Sequence, residues 1–240
     1  MEILESCEVF VGRNDDLEFS HTKVILKGDS EYHYAVTHRR FRSIDEIDPS
    51  ELTCIPMRTS DIWPEFPTSF TRAPEPLLQN LYVKRPSSLS YGDSKTSTEI
   101  STLVLHEAQI CETLRKCPHP NIAQYLGCVV DGGRITRLFK ASEPFDRLSC
   151  LKEIRSGIEH LHKLGIIHCD INPHNIYSHG NSWVIGDFDS STSEGEKLGL
   201  KAGTGGWTKD QFKFARRENN LYGLAKIEEF IRTGLEPFCT

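Results

Sequence analysis

The stretch Gly165–Asp189, GIIHCDINPHNIYSHGNSWVIGDFD, is the part of the chain that decides its fold. Two short apolar runs in it each lead into an aspartate-containing cluster, which holds Asp170 in the first case and Asp187 in the second. Asn175 follows five residues after the first of these carboxylates. Carboxylate and amide oxygens are hard ligands, which suit Mg²⁺ and a nucleoside triphosphate. The stretch therefore indicates a metal-dependent phosphoryl-transfer site.

The order His-x-Asp-x-x-x-x-Asn followed by Asp-Phe-Asp resembles the catalytic loop and the metal-binding triplet of protein kinases. The resemblance implies that Asp170 takes the proton of a substrate hydroxyl. It also implies that Asn175 and Asp187 bind Mg²⁺ and, through it, the cofactor ATP. Three positions depart from the kinase pattern. Asn172 replaces the Lys usual in Ser/Thr kinases, and Asp189 replaces the Gly of the triplet. Cys169 stands where kinases carry an Arg.

A helix is predicted from about residue 98 to residue 116, because apolar side chains recur there at helical spacing. Glu107 lies on the same apolar stripe. A carboxylate on a buried face needs a cation, since removing one partner of a buried ion pair costs about 3–5 kcal/mol. Lys84, at the end of a short β-prone run, is the candidate, and this pair resembles the one that holds ATP phosphates in kinases. The alternative is that Glu107 lies at the helix edge with its carboxylate in water.

The segments around these motifs follow a consistent pattern. Asp131–Arg134 is a hairpin signal between two β-prone runs, and residues 140–145 are expected to form a hinge whose backbone contacts an adenine. A second amphipathic helix is predicted from Asp146 to Leu164, with Gly165 as its C-terminal cap.

The Gly203–Thr208 segment is similar to the one that positions peptide substrates in Ser/Thr kinases. Asn220–Thr233 is predicted to form a largely buried last helix.

The N-terminal third is less informative. Strands are predicted at Lys23–Leu26 and Tyr32–Val36, with a turn between them. Leu52–Phe70 is rich in Pro and aromatic residues, which favours an extended segment over a long helix. A kinase would carry a Gly-x-Gly-x-x-Gly hairpin over the phosphates, and no such run occurs upstream of Lys84.

The composition indicates an ordinary soluble protein. The 240 residues are 38% hydrophobic and 26% charged, and the formal net charge of −6 argues against a nucleic-acid-binding protein, which would be basic. The eight cysteines contain no Cys-x-x-Cys pair, so neither a zinc ribbon nor a disulfide framework is indicated. No signal peptide or membrane-length apolar stretch is visible, so we expect an intracellular protein, either cytoplasmic or nuclear.

A transition-metal site is the weaker interpretation of the histidines. Its ligands would be His160, His162, His168, Cys169 and His174, but the first two lie two residues apart on a predicted helix and point to different sides. His168 follows two isoleucines, which favours a structural role in the loop.

We therefore predict an α+β, bilobal protein-kinase-like fold with a small β-rich N-lobe and a truncated, mainly helical C-lobe. The predicted parts are an N-terminal extension (residues 1–75), an N-lobe with hinge (76–145) and the C-lobe (146–240). The chain also resembles a group of short fungal Ser/Thr kinase-like proteins with Asp-Phe-Asp in place of Asp-Phe-Gly. The similar sequence segments are residues 170–176, 187–190, 195–199 and 223–229.

The resemblance implies ATP- and Mg²⁺-dependent phosphotransfer to Ser/Thr hydroxyls of proteins. Asp170, Lys84 and Glu107 would be catalytic, and Lys84, Asn175 and Asp187 would bind the cofactor. Two alternatives stay open: a pseudokinase or scaffold, because the glycine hairpin is missing, and a small-molecule phosphotransferase, because the loop is also similar to that of aminoglycoside and choline phosphotransferases. We expect a protein substrate, no nucleic acid and no membrane, with a partner as one candidate for covering the truncated C-lobe.

Overall fold

The computed structural model describes residues 1–13, 16–29, 31–75, 82–93, 99–140, 150–179, 182–199 and 203–234. Its strands are β1 (Glu2–Arg13), β2 (Asp16–Lys27), β3 (Tyr32–Thr37), β4 (Ile55–Met57), β5 (Tyr82–Lys84), β6 (Tyr125–Asp131), β7 (Arg134–Lys140), β8 (Ile166–Ile167), β9 (Ile176–His179), β10 (Ser182–Ile185) and β11 (Thr192–Ser193). Its helices are α1 (Thr59–Ile62), α2 (Glu99–Lys116), α3 (Cys150–Lys163) and α4 (Arg217–Thr233). The predicted α+β class is confirmed, with sheet dominating the N-terminal region, whereas the three-part division of the chain stays a prediction.

The described residues form two compact units. The first comprises Met1–Glu65, Arg85–Val104 and Gly133–Ile135, and the second comprises Phe66–Lys84, Leu105–Gly132 and the residues from Thr136 onward. The first unit contains an antiparallel sheet in the order β1-β2-β3-β4. Its core consists of Val24, Leu26, Ala35 and Ile47, all buried. The side chains expected at the phosphotransfer site all lie in the second unit.

Lys84 is positioned by a three-stranded sheet in the order β5-β7-β6. β5 is antiparallel to β7 and pairs Lys84 with Leu138. An added segment runs along β6, where the Cys128 N–H donates to Thr71 O and the Ala73 N–H donates to Cys128 O, both at 2.8 Å. Residues 71–73 therefore cover the edge of β6 that the sheet leaves open.

The same segment contacts helix α2. The buried carboxylate of Glu112 accepts hydrogen bonds from the Thr71 backbone N–H at 2.6 Å and from the Thr71 hydroxyl at 3.0 Å. Glu112 lies five residues after Glu107, so the contact holds the helix that carries this carboxylate against the segment beside β6. α2 begins and ends within one residue of the predicted bounds.

Helices α3 and α4 support the loop that follows β8. α3 buries Ile154, Ile158 and Leu161 on one face. α4 buries Gly223 against that loop, and a Cβ on Gly223 would overlap the backbone carbonyl oxygen of Ile171. The helix can therefore approach the loop backbone only because this residue has no side chain.

Three predictions differ from the structure or lie outside it. α3 begins at Cys150, and residues 146–149 of the predicted helix lie outside the described residues, as do residues 141–145 of the predicted hinge. α4 begins at Arg217, three residues earlier than predicted. None of the described helices is both long enough and apolar enough to cross a membrane.

Candidate phosphotransfer site

His168 joins the two acidic loops through their backbones. Its ring is fully buried; Nε2 donates to Gly186 O at 3.0 Å, and Nδ1 accepts from the Asp170 N–H at 3.3 Å. Burial lowers the pKa of His168 below its usual value, so the neutral imidazole with one donor and one acceptor is the form that fits both bonds. His168 therefore sets the spacing between the backbones next to Asp170 and Asp187.

Cys169 has a backbone conformation that is uncommon for a residue with a side chain. Its φ is 66°, in the left-handed region, and its N–H donates to the Asn220 Oδ1 at 3.0 Å. Asn220 is fully buried on α4, and its amide nitrogen contacts His162 Nε2 on α3 at 3.1 Å. The two helices thus hold the turn that presents Asp170, because the Asn220 amide contacts both this turn and α3.

The side-chain carboxylate of Asp170 accepts four hydrogen bonds from the described residues. Oδ1 accepts from Asn172 Nδ2 at 2.9 Å and from the Thr204 N–H at 2.7 Å. Oδ2 accepts from Asn175 Nδ2 at 3.0 Å and from the Thr204 hydroxyl at 3.2 Å. Hydrogen bonds to a charged group are stronger than those between neutral groups, so these donors fix the orientation of the carboxylate.

Asn175 presents its amide in one orientation. Its Nδ2 also donates to the Asp170 backbone oxygen at 2.9 Å, so both observed bonds of this side chain use the nitrogen. The carbonyl Oδ1 is then the atom that suits a cation. Asn175 O accepts from the Gly186 N–H at 2.9 Å, which places Asn175 beside the residue that precedes Asp187.

Lys84 forms the centre of a second cluster. Its ammonium lies 3.0 Å from Glu107 Oε2 and 3.3 Å from Asp189 Oδ2, and it donates a hydrogen bond to Asp187 Oδ1. Glu107 is buried, with 3% of its side chain exposed, so the cation that its position requires is present. Burial alone would lower the pKa of Lys84, but the carboxylates of Glu107, Asp187 and Asp189 outweigh it and raise that pKa, which keeps the ammonium charged.

The structure places the five candidate residues in two groups. Lys84, Glu107 and Asp187 form one, and Asp170 and Asn175 form the other. The groups are connected through His168 and through the backbone bond between Gly186 and Asn175. The roles assigned to the five side chains stay predictions.

Three contributors to the site were not predicted from the sequence. Asn172 counted only as a departure from a kinase lysine, yet it is almost fully buried and donates to both Asp170 and Thr204. Thr204 lies in a segment noted for substrate positioning, and it contacts Asp170 directly. Asp189 is the third carboxylate on Lys84. The signal for Asn172 was its position two residues from Asp170, where a short amide can reach a neighbouring carboxylate.

The donor set fits a magnesium nucleotide better than a transition metal. Within the described residues, no group of three or more His, Cys, Asp and Glu side chains could hold a metal ion, which leaves the histidine–cysteine site without support. Mg²⁺ is usually bound by one or two protein oxygens together with phosphate oxygens and water. Asp187 and the Asn175 carbonyl would supply the protein oxygens, and the charged Lys84 would contact the phosphates.

Comparison with known proteins finds similarity to serine/threonine kinases over part of the chain. A probable serine/threonine-protein kinase HAL5-like of Vanderwaltozyma polyspora is 30% identical over 105 residues, which are 42% of this chain. A probable serine/threonine-protein kinase ireA of Dictyostelium discoideum is 29% identical over 94 residues, or 36% of the chain. The mitogen-activated protein kinase kinase kinase MST11 of Pyricularia oryzae is 32% identical over 123 residues, or 44% of the chain.

The matched parts are small portions of these relatives. The aligned segments cover 13%, 10% and 13% of the three proteins, in the same order. No protein-family model matches the chain. The similarity therefore supports a kinase-like relationship at the superfamily level, and the geometry of the α+β fold is compatible with it.

Proposed function

We propose that this protein transfers a phosphoryl group from Mg-ATP to Ser or Thr hydroxyls of a protein substrate. The observation that carries the proposal is the set of four hydrogen bonds that orient the Asp170 carboxylate, next to a buried Lys84–Glu107 pair that contacts Asp187. The partial similarity to three Ser/Thr kinases supports it.

Each side chain has a defined task in this proposal. Bound Mg-ATP supplies the phosphoryl group and the metal charge that offsets the negative charge of the phosphates. Lys84 binds the α- and β-phosphates, and Glu107 keeps its ammonium in place. Asp187 and the carbonyl of Asn175 hold the metal. Asp170 orients the acceptor hydroxyl and takes its proton on a carboxylate oxygen, a type of contribution that is typically worth about 10²- to 10⁴-fold in rate.

The test separates binding from turnover. Asp187→Ala should abolish metal-dependent nucleotide binding, measured by calorimetry with ATP and MgCl₂. Asp170→Asn should retain that binding and lose at least about a hundredfold in ATP hydrolysis or autophosphorylation. Asp131→Asn, at the exposed end of β6, is the control and should match the wild type. Unchanged turnover in Asp170→Asn would remove Asp170 from the proposed role.

A scaffold without turnover is the second candidate. It is favoured by the three carboxylates that surround Lys84, because each of them competes with a phosphate for the ammonium. Mg-ATP at about 100 times its Kd should stabilise a nucleotide-binding protein by about 2.7 kcal/mol. A wild-type protein that shows no thermal shift at millimolar Mg-ATP would favour the scaffold. Phosphorylation of a small alcohol, but of no peptide, would instead favour a small-molecule phosphotransferase.

A further inference from the structure

Lys84 is surrounded by more negative charge than one ammonium can offset. Glu107, Asp187 and Asp189 all lie within ion-pair distance of its nitrogen. Only 11% of the lysine side chain is exposed, and 15% of that of Asp189, so water screens these charges poorly. The group carries one positive and three negative formal charges.

The number of N–H donors on Lys84 limits how many oxygen atoms its ammonium can bind. A lysine ammonium has three N–H donors, and three carboxylates face it here. Lys84 donates hydrogen bonds to Glu107 and Asp187, and Asp189 lies at ion-pair distance on the same ammonium. A phosphate that approaches the remaining donor therefore meets the Asp189 carboxylate.

Asp189 is the carboxylate with no other task in the proposed reaction. Glu107 is almost fully buried on α2, and Asp187 is the expected metal ligand. Asp189 lies 3.3 Å from the ammonium with Oδ2, while its Oδ1 accepts from the Ser190 hydroxyl at 3.2 Å. The serine thus orients one carboxylate oxygen, which leaves the other toward Lys84.

We infer that Asp189 is a positioning residue that competes with nucleotide phosphates for Lys84, so that nucleotide binding here depends on Mg²⁺ more strongly than the other ligands alone would require. The inference rests on the proposed nucleotide site. A divalent cation adds two positive charges to a group with an excess of negative charge, so it lowers the cost of bringing in phosphates. Without the cation, the phosphates meet three carboxylates and an ammonium that already donates to two of them.

The test measures the Kd of ADP by calorimetry on the full chain, once with excess MgCl₂ and once with EDTA. Asp189→Asn keeps the shape of the side chain and removes its charge. We expect this variant to bind ADP in EDTA about five- to tenfold more tightly than the wild type does. The ratio of the Kd in EDTA to the Kd with MgCl₂ should therefore be smaller in the variant. Asp210→Asn, at an exposed position, removes the same charge elsewhere and should leave the ratio unchanged.

The outcomes distinguish this inference from the proposed function. A wild type that binds Mg-ADP, with an Asp189→Asn variant whose Kd ratio is unchanged, would overturn the inference and leave the function standing. Equal weakening with and without Mg²⁺ would assign Asp189 a purely structural role and also overturn it. A wild type that binds no ADP in either condition would overturn both. If the amide variant does not fold, Asp189→Ser provides the same comparison.

Discussion

At the scale of the single residue, one short amide supports the proposed base. Asn172 stands where Ser/Thr kinases usually have a lysine, and its Nδ2 reaches the Asp170 carboxylate at 2.9 Å. Its Oδ1 accepts from the His174 N–H at 2.9 Å, so the same side chain also begins the turn at Pro173–Asn175. One amide therefore combines a structural bond with a bond to the proposed base.

Asn172→Ala tests this arrangement. Loss of one of four donors should let the Asp170 carboxylate rotate, and we expect kcat to fall by about ten- to a hundredfold, since small displacements of catalytic groups have effects of this size. The Kd of Mg-ATP should stay within about twofold, because the hydrogen bonds of the Asn172 side chain go to Asp170, Thr204 and His174, and none of these is a proposed nucleotide ligand. Steady-state kinetics and calorimetry would measure the two quantities.

Asn172→Lys is the matched variant for this experiment. It returns a cationic donor near Asp170, so its kcat should exceed that of Asn172→Ala. A lysine variant no better than the alanine variant, or a loss of nucleotide affinity in either, would show that Asn172 acts through the fold of the loop instead.

At the scale of the element, α2 and α4 hold the two halves of the site. α2 carries Glu107, and its buried Glu112 accepts two hydrogen bonds from Thr71. α4 carries Asn220 and lies against Ile171 through Gly223. Changes in these contacts should affect the site through the position of a helix.

Thr71→Val should destabilise the fold by removing the hydroxyl that donates to Glu112. A hydrogen bond to a charged group contributes about 1.5–3 kcal/mol, and the free energy of unfolding in urea should fall by about that amount. Thr113→Val is the control, because its hydroxyl is on the exposed face of α2, where such changes stay within about 0.5 kcal/mol. Equal losses in the two variants would contradict the role of the Glu112 contact.

Gly223→Ala should also destabilise the fold, although alanine favours a helix by about 1 kcal/mol over glycine. The added methyl would overlap the Ile171 carbonyl, and overpacking of this kind costs about 1–3 kcal/mol. Gly199→Ala is the comparison, since a Cβ there meets no atom within 4 Å. A thermal midpoint that rises in Gly223→Ala would show that α4 does not depend on this close approach.

At the scale of the whole molecule, three histidines make the stability of the protein depend on pH. His119, His162 and His168 all have pKa values lowered by burial, which penalises the charged imidazolium in the folded state. The unfolded chain gains a proton at each of them below about pH 6.5, while the folded chain gains it only at a lower pH. Their contribution to stability is therefore complete above that pH and is lost as the pH falls.

Urea unfolding at pH 7.5 and at pH 5.5 would measure this effect. We expect a lower free energy of unfolding at pH 5.5, with a smaller difference in His162→Gln, whose amide oxygen can still accept from Asn220. Equal or greater stability at pH 5.5 would contradict the expected direction.

The periodic parts of the fold were predictable from sequence, and the charged contacts were not. α2 follows from a long apolar repeat, and the β2–β3 and β6–β7 hairpins follow from β-prone runs around turn residues. β1 was missed because Glu2, Glu5 and Glu8 interrupt its apolar pattern, although strand pairing with β2 accommodates them at a sheet edge. The β-propensity of a segment takes no account of the strands with which it pairs, so it underestimates a strand such as β1.

The candidate site shows the same limit. Local spacing indicated Asp170, Asn175 and Asp187, and one helical stripe indicated that Glu107 needs Lys84. Nothing in local spacing brings Thr204 to Asp170 across 34 positions or aims Asp189 at Lys84, because those contacts depend on the tertiary path of the chain.

The Thr204 contact has a consequence for covalent regulation. The threonine hydroxyl donates to the Asp170 carboxylate at 3.2 Å. A phosphate ester on this oxygen would remove the donor and place about two negative charges against the carboxylate that it now steadies. The protein would then be switched off by the same kind of modification that we propose it makes on others.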